Sequence, residues 1–249
     1  MNNRKMINYV AKNKKISIGL EDSKRTWKLS ARSEGREIHY TCLSAQYDQL
    51  HSYLKNKFPD CEVSIIYEAG FKGFGLHDQL TADGYKCIVT PPNKVTQEKH
   101  TRVKTDKVDA RRLATVLEKG DYKACAVPDK ERRDDRTVSR AMIQVQGELK
   151  RVKNRIRKFF DFNGYCETFP AGAWTEKDYA SARKMQLPSS LQKTLDVYWS
   201  MLDEFKKLQK QLHKDVMGFC KKERYAEAVR IINSVAGIGK LTAIRLVLE

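Results

Sequence analysis

The sequence lacks the features that mark membrane, secreted and zinc-binding proteins. No apolar stretch approaches the roughly 20 residues that span a bilayer, and no apolar signal core follows the basic N-terminus. The six cysteines form no C-x-x-C pair, and the five histidines form no H-x-x-x-H or H-x-H pair. These absences argue against a disulfide scaffold and against zinc chemistry, and they indicate reduced thiols. We therefore expect a cytoplasmic protein without a membrane partner.

Acidic residues are scarce relative to basic ones. Lys and Arg number 48 against 31 Asp and Glu, which gives a formal net charge of +17. Residues 99–158 alone hold 19 basic and 9 acidic side chains. Solubility requires much less charge, whereas an excess of Lys and Arg is the usual footprint of binding to a phosphate backbone. A merely soluble basic protein is the alternative, but nucleic acid is the partner that we expect.

The first 130 residues predict an α/β domain. Strand patterns cover residues 15–20, 26–31, 37–42, 62–67 and 85–89. Helical patterns follow the third and fourth strands, and Ser44 is expected to cap the first of these helices. Three antiparallel strands followed by helix–strand–helix–strand predict a mixed sheet, which is the element order of a ribonuclease-H-like fold.

After Pro128 the sequence carries two heptad seams. The first runs from Val138 to Phe159 and the second from Leu191 to Phe219, with Gln209 as its one polar position. We predict an α-helical coiled coil, in which either two helices of one chain pair antiparallel or helices of separate chains pair. Because the second seam is longer, we expect another chain to cover part of it, which predicts a homodimer or higher homo-oligomer.

The last residues carry two glycines, in Ala236-Gly237-Ile238-Gly239, ahead of an apolar helix. Such a turn exposes backbone N–H groups at a helix N-terminus and suits a phosphate. An ordinary helix–turn–helix corner explains the segment equally well. The chain ends inside that helix, so we expect a fragment of a longer protein.

Carboxylates stand at the ends of the predicted elements. Glu21 and Asp22 end the first strand, Glu68 ends the fourth, and Asp106 and Asp109 share one face at the start of a helix. Converging carboxylates suit a pair of Mg²⁺ or Mn²⁺ ions, which can clamp the attacking and leaving oxygens of a phosphoryl transfer. The ordinary explanations are helix capping for the two Asp residues and a solvated charge for a Glu at a strand end.

Four segments, at residues 18–24, 67–74, 89–92 and 104–114, carry motifs that resemble those of one protein family. The K-T-D-x-x-D-A motif at 104–110 is specific to that family, and the Y-E-A-G motif at 67–70 is moderately specific. Together they resemble the DEDD-type insertion-sequence transposases, also described as bridge-RNA-guided recombinases. The resemblance implies a RuvC-like domain over 1–130, the coiled coil over 131–225 and the opening of a C-terminal transposase domain over 226–249.

The resemblance also implies a function and a site. The function is that of a DNA transposase or site-specific recombinase, with DNA and a guide (bridge) RNA as partners, at the nucleoid of a bacterial or archaeal cell. The implied catalytic, metal-binding set is Glu21, Glu68, Asp106 and Asp109. The family usually has Asp where Glu21 stands, so Asp22 is the alternative ligand, although strand alternation directs only one of the two towards the site.

The nucleophilic serine of the family is expected beyond Glu249, so strand exchange by this chain alone is not expected.

Six basic residues are predicted to contact nucleic acid: Lys104, Arg111, Arg112, Arg151, Arg155 and Lys158. Two other functions stay open, a Holliday-junction-type nuclease and a non-catalytic RNA-binding scaffold.

Overall fold

The computed structural model describes residues 14–92, 106–170 and 172–249. The chain divides into two compact units, Met1–Val127 and Pro128–Glu249. In the described ranges, no helix is both long and apolar enough to cross a membrane.

The first unit is built on a five-stranded mixed sheet in the order β3-β2-β1-β4-β5. Its strands are β1 (Lys15–Asp22), β2 (Thr26–Ser33), β3 (Arg36–Ser44), β4 (Glu62–Glu68) and β5 (Lys86–Thr90). β1, β2 and β3 pair antiparallel, whereas β4 runs parallel to both β1 and β5. The predicted α/β class with a ribonuclease-H-like mixed sheet is confirmed.

Alternating side chains of the strands build a core on each face of this sheet. Leu20 and Tyr67 belong to the larger core, which is closed by α1 (Tyr47–Lys57) and α2 (Gly75–Ala82). Ile66 belongs to the smaller one, which is covered by α3 (Asp106–Lys119). This alternation decides which strand-end residues face α3.

The predicted capping role of Ser44 is wrong. Ser44 is the last residue of β3, where it pairs with Thr26 of β2. The N-cap of α1 is Gln46, whose side chain makes no capping hydrogen bond. Pairing with β2 extends β3 beyond the residue at which its alternating pattern ends.

The second unit is helical, and its two long helices pack against each other. α4 (Lys130–Phe162) and α6 (Ser189–Phe219) flank a 3₁₀ turn (Cys166–Thr168) and α5 (Glu176–Lys184). The C-terminal half of α4 shares one apolar cluster with the N-terminal half of α6, and the other halves share a second cluster. The two heptad helices therefore pair antiparallel within one chain.

The rest of the helical unit covers the seam. α7 (Glu223–Asn233) and α8 (Lys240–Leu248) pack on Met142 of α4 and Val216 of α6. Every seam position from Val138 to Phe159 and from Leu191 to Phe219 is buried or half-buried. The helices of one chain therefore cover much of the seam, and the expectation that another chain covers the rest stays a prediction. The two-glycine segment connects α7 to α8, with Gly237 at a φ of 87° and Gly239 as the N-cap of α8.

Candidate active site

Two neighbouring parallel strands end in carboxylates. The register pairs Leu20 of β1 with Tyr67 of β4, so Glu21 and Glu68 follow them at the same level of the sheet. Leu20 and Tyr67 are fully buried on the face of α1 and α2. Because successive side chains alternate between faces, Glu21 and Glu68 share the opposite face, which α3 covers.

Helix α3 approaches β1 closely at Gly19. A Cβ added to Gly19 would lie 2.1 Å from the Ala110 carbonyl oxygen and 2.3 Å from the Ala114 amide nitrogen. Ala110 and Ala114 are fully buried and one helical turn apart. The missing side chain on the strand and the small ones on the helix allow this contact, which sets the first turns of α3 beside the end of β1.

The far end of α3 is also anchored. Glu118 accepts a hydrogen bond from Arg32 Nε at 2.8 Å and another from the backbone N–H of Gly35 at 2.9 Å. Two anchors at opposite ends of the helix fix the direction in which its N-terminal carboxylates lie.

Arg112 joins two of the predicted ligands. One of its terminal nitrogens lies 3.0 Å from Glu68 Oε1 and 3.5 Å from Asp109 Oδ1. All three side chains are largely buried, with exposed fractions of 19%, 29% and 16%. Glu68 and Asp109 thus converge on one cation, and the cation in this structure is a guanidinium. The guanidinium of Arg112 donates to Glu68 and forms an ion pair with Asp109, and its predicted contact with nucleic acid stays a prediction.

Glu21 and Asp22 have different surroundings. The Ser23 hydroxyl donates to both carboxylate oxygens of Glu21 at 3.0 Å. The carboxyl of Asp22 lies near Gly70 and interacts with the ammonium of Lys72. Burial raises the pKa of Asp22, and the charge of Glu68 raises it further, although Lys72 opposes both effects. Strand alternation puts Glu21 on the face of Glu68, whereas Asp22 is near enough to Glu68 for that charge to raise its pKa, so both stay candidates for the first ligand.

Lys72 is a basic residue whose ammonium interacts with both Asp22 and Glu21. Its Nζ lies 4.7 Å from the centre of the Trp27 ring. Burial lowers the pKa of Lys72, while the charges of Asp22 and Glu21 raise it.

The fourth predicted ligand lies only partly within the described structure. Asp106 is the first residue of α3, but its side chain, like the whole of Lys104, lies outside the described residues. In the described ranges, no three His, Cys, Asp or Glu side chains lie close enough to hold a metal ion together. The geometry brings Glu68 and Asp109 together and puts Glu21 on the same face, without a complete ligand shell.

The other basic residues predicted to contact nucleic acid differ in whether their charge is already paired with a carboxylate. Arg111 donates to both oxygens of Glu37, at 2.6 and 2.7 Å, and lies over the ring of Tyr40. On α4, Arg151 pairs with Glu148. Arg155 and Lys158 are exposed and make no ion pair with any described residue.

Sequence reasoning missed the packing role of Gly19 and the bridging role of Arg112. A glycine inside a strand, with two alanines four residues apart on the following helix, was the available signal for the first. The spacing of three between Asp109 and Arg112 was the signal for the second, since residues so spaced are neighbours on a helix.

Comparison with known proteins identifies the family of the chain. The profile of a transposase family, DEDD_Tnp_IS110, matches residues 18–163, which is more than half of the chain. The transposase of insertion sequence element IS1533 from Leptospira borgpetersenii is 26% identical over 243 residues, covering 95% of this chain and 70% of that protein.

Two Sinorhizobium fredii proteins with provisional transposase names, y4qE and y4rJ, show shorter matches. They are 33% and 36% identical over 97 and 100 residues, which is 39% and 37% of this chain and 25% of each of those proteins. With the family profile spanning the sheet, α3 and α4, the chain belongs to the DEDD transposase family of insertion sequences.

Proposed function

We propose that this chain takes part in recombining DNA during transposition of an insertion sequence, with a Mg²⁺-dependent acidic site in its first unit and a guide RNA among its partners. The observation that carries the proposal is the meeting of Glu68 from β4 and Asp109 from α3 on a single cation. Carboxylates from different elements share a cation in this way when the fold is organised to neutralise their charges.

The donor set fits Mg²⁺ or Mn²⁺. Glu21, Glu68 and Asp109 offer only carboxylate oxygens, the ligands that these hard cations prefer. Asp106 is the fourth residue of the proposed set. Bound Mg²⁺ would supply Lewis-acid activation of a DNA phosphodiester.

The chain's own residues prepare the site. The Ser23 hydroxyl orients the Glu21 carboxylate through its two hydrogen bonds. Arg112 neutralises Glu68 and Asp109 and so limits the repulsion between them. Gly19 holds α3 against β1, which keeps Asp109 within reach of the strand ends.

A metal titration tests the acidic site. Mn²⁺ should bind the purified chain in calorimetry, and Glu68→Gln and Asp109→Asn should each weaken that binding by roughly 10–100-fold or more. Glu62→Gln is the matched control, because Glu62 is an exposed carboxylate at the opposite end of the same strand. Equal Mn²⁺ affinities in all four proteins would contradict the site.

A second variant tests the role assigned to Arg112. Arg112→Gln removes the cation that Glu68 and Asp109 now share, so Mn²⁺ should bind more tightly. Without Mn²⁺, the free energy of unfolding should fall by about 2 kcal/mol, since two partly buried carboxylates lose their counter-charge. Weaker Mn²⁺ binding would mean that Arg112 supports the site in some other way.

The products distinguish the competing functions. Metal-dependent cutting of branched DNA without a covalent protein–DNA product would favour the Holliday-junction-type nuclease. RNA binding with neither metal binding nor cutting would favour the scaffold. Assembly as a homodimer or higher homo-oligomer stays a prediction, which sedimentation at micromolar concentration tests.

A further inference from the structure

The apolar packing between α4 and α6 is interrupted by two amides. Gln209, the one polar seam position of α6, and Gln146 of α4 line the same clefts. On one side lies the cluster that contains Leu149 and Leu202, and on the other the cluster that contains Met142 and Val216. The helix pair thus has a polar gap in its middle.

A basic cleft opens at this gap. A cavity of about 480 Å³ adjoins one of about 450 Å³, and four residues line both of them. Five cationic side chains line the two cavities: Lys150, Lys153 and Arg157 from α4, and Lys206 and Lys210 from α6. Glu176 is the one carboxylate among the described residues of the lining, so positive charge predominates.

The spacing of these cations gives the cleft a direction. Residues 146, 150, 153 and 157 follow one stripe of α4, about 17 Å long at the helical rise per residue. Residues 206, 210 and 213 follow a matching stripe of α6. Two parallel rows of donors along a cleft suit an extended polyanion better than a single small anion.

Some of the cations are held in place and others are free to bind. Glu176 accepts from Lys153 at 3.1 Å and from Lys206 at 2.6 Å, and these bonds lower the pKa of its carboxyl. Lys150 and Lys210 are exposed and form no ion pair with any described residue. They are the natural contacts for phosphate oxygens.

The cleft also has an aromatic wall. Trp174 is half-buried, and its ring centre lies 4.4 Å from that of Phe169 and 5.3 Å from that of Tyr179. The indole N–H donates to the Pro170 carbonyl at 3.2 Å, which fixes the ring further. A supported ring beside a basic cleft is the arrangement on which unpaired bases stack.

We propose that this cleft binds a single-stranded polynucleotide, with phosphates on Lys150 and Lys210, a base against Trp174, and the Gln146 and Gln209 amides at base edges. The inference rests on the proposed function in that the chain must bind nucleic acid. It assigns the contact to the cleft rather than to the outer row of Arg151, Arg155 and Lys158. A duplex fits poorly because its bases are already stacked and paired.

Charge-matched variants test the cleft. In fluorescence anisotropy with labelled 20-nucleotide single-stranded RNA, single-stranded DNA and duplex DNA, the unmutated chain should prefer the single strands. Lys150→Gln with Lys210→Gln should lower single-strand affinity by roughly tenfold at 0.1 M salt and lower the slope of log affinity against log salt by about 1.4. Lys130→Gln with Lys193→Gln, two exposed lysines on the same two helices that do not line the cleft, should change both much less.

Gln209→Leu separates binding from folding. Leucine continues the apolar seam, so the thermal midpoint should stay the same or rise, while single-strand affinity falls severalfold. If the cleft binds single-stranded RNA more tightly than single-stranded DNA, its ligand is the guide RNA. If it binds both equally, its ligand is a displaced DNA strand. Both results support the cleft.

The same measurements distinguish a failure of the cleft proposal from a failure of the proposed function. Nucleic-acid binding that the cleft and control variants reduce equally would overturn the cleft and leave the proposed function standing. A chain that binds no nucleic acid at low salt would overturn both.

Discussion

The contact at Gly19 is the residue-scale feature on which the geometry of the acidic site depends. Gly19→Ala would put a methyl group 2.1 Å from a backbone oxygen of α3, and neither strand nor helix backbone can yield easily. We expect the free energy of unfolding to fall by about 3 kcal/mol, the upper range for an overpacked core. Mn²⁺ affinity should fall with it, because α3 carries Asp109. Urea unfolding and calorimetry measure the two effects.

Gly75→Ala is the matched control for that substitution. Gly75 begins α2 in the same unit, and an added Cβ there has no other atom within 4 Å. Stability should be unchanged or rise by up to about 1 kcal/mol. If Gly19→Ala proves as harmless as Gly75→Ala, the close approach of α3 does not hold the site together.

At the residue scale, the sequence predicted which acidic residues form the site but not which side chains they contact. It identified the strand ends at Glu21 and Glu68 because strand patterns and their boundaries are local. Which neighbours surround Glu21 and Asp22 depends on the register with β4, which is a long-range property. The ion pairs of Arg112 with Glu68 and Asp109 were not predicted, because a sequence displays a charge without the partner that neutralises it.

At the scale of elements, the seam residue Leu202 distinguishes packing within the chain from packing between chains. Leu202 is 1% exposed in the core shared by α4 and α6. Leu202→Glu should therefore destabilise the helical unit by about 4 kcal/mol or more, because a charge is buried without a partner. Circular dichroism during urea unfolding checks this loss.

Leu208→Glu is the control on the same helix. Leu208 is 39% exposed, so a charge there should change stability by no more than about 0.5 kcal/mol. A Leu202→Glu protein that keeps its stability but changes its sedimenting mass would show instead that the seam pairs separate chains.

The two heptad helices illustrate why elements are easier to predict than their partners. Apolar residues at spacings of four and three predicted both helices, because periodicity is a property of the local sequence. The packing of α7 and α8 on the N-terminal half of α4 and the C-terminal half of α6 was not predicted. That packing depends on where the turn at Gly237 directs the chain, and heptad periodicity carries no information about it.

At the scale of the whole molecule, the two units differ in how their carboxylates are paired. Burial raises the pKa of Asp22 in the first unit. The described carboxyls with lowered pKa values are Asp83, Asp129, Glu131, Glu176, Asp178, Glu227 and Glu249. All of these except Asp83 belong to the helical unit, so that unit should be the more sensitive to acid.

The acid response follows from the bonds that lower these pKa values. A hydrogen bond from Arg224 lowers the pKa of Asp129, and hydrogen bonds from Lys222 and Arg224 lower that of Glu131. A carboxyl with a lowered folded pKa stabilises the fold above its unfolded pKa, and this contribution is lost as pH falls through the folded value. The urea midpoint of the helical signal should therefore fall between pH 6 and pH 3.

Arg224→Gln should reduce that fall, because Asp129 and Glu131 lose a partner and their pKa values return towards 3.8 and 4.5. An equal fall in both proteins would show that these ion pairs, which tie α4 to α7, do not control the acid stability of the helical unit.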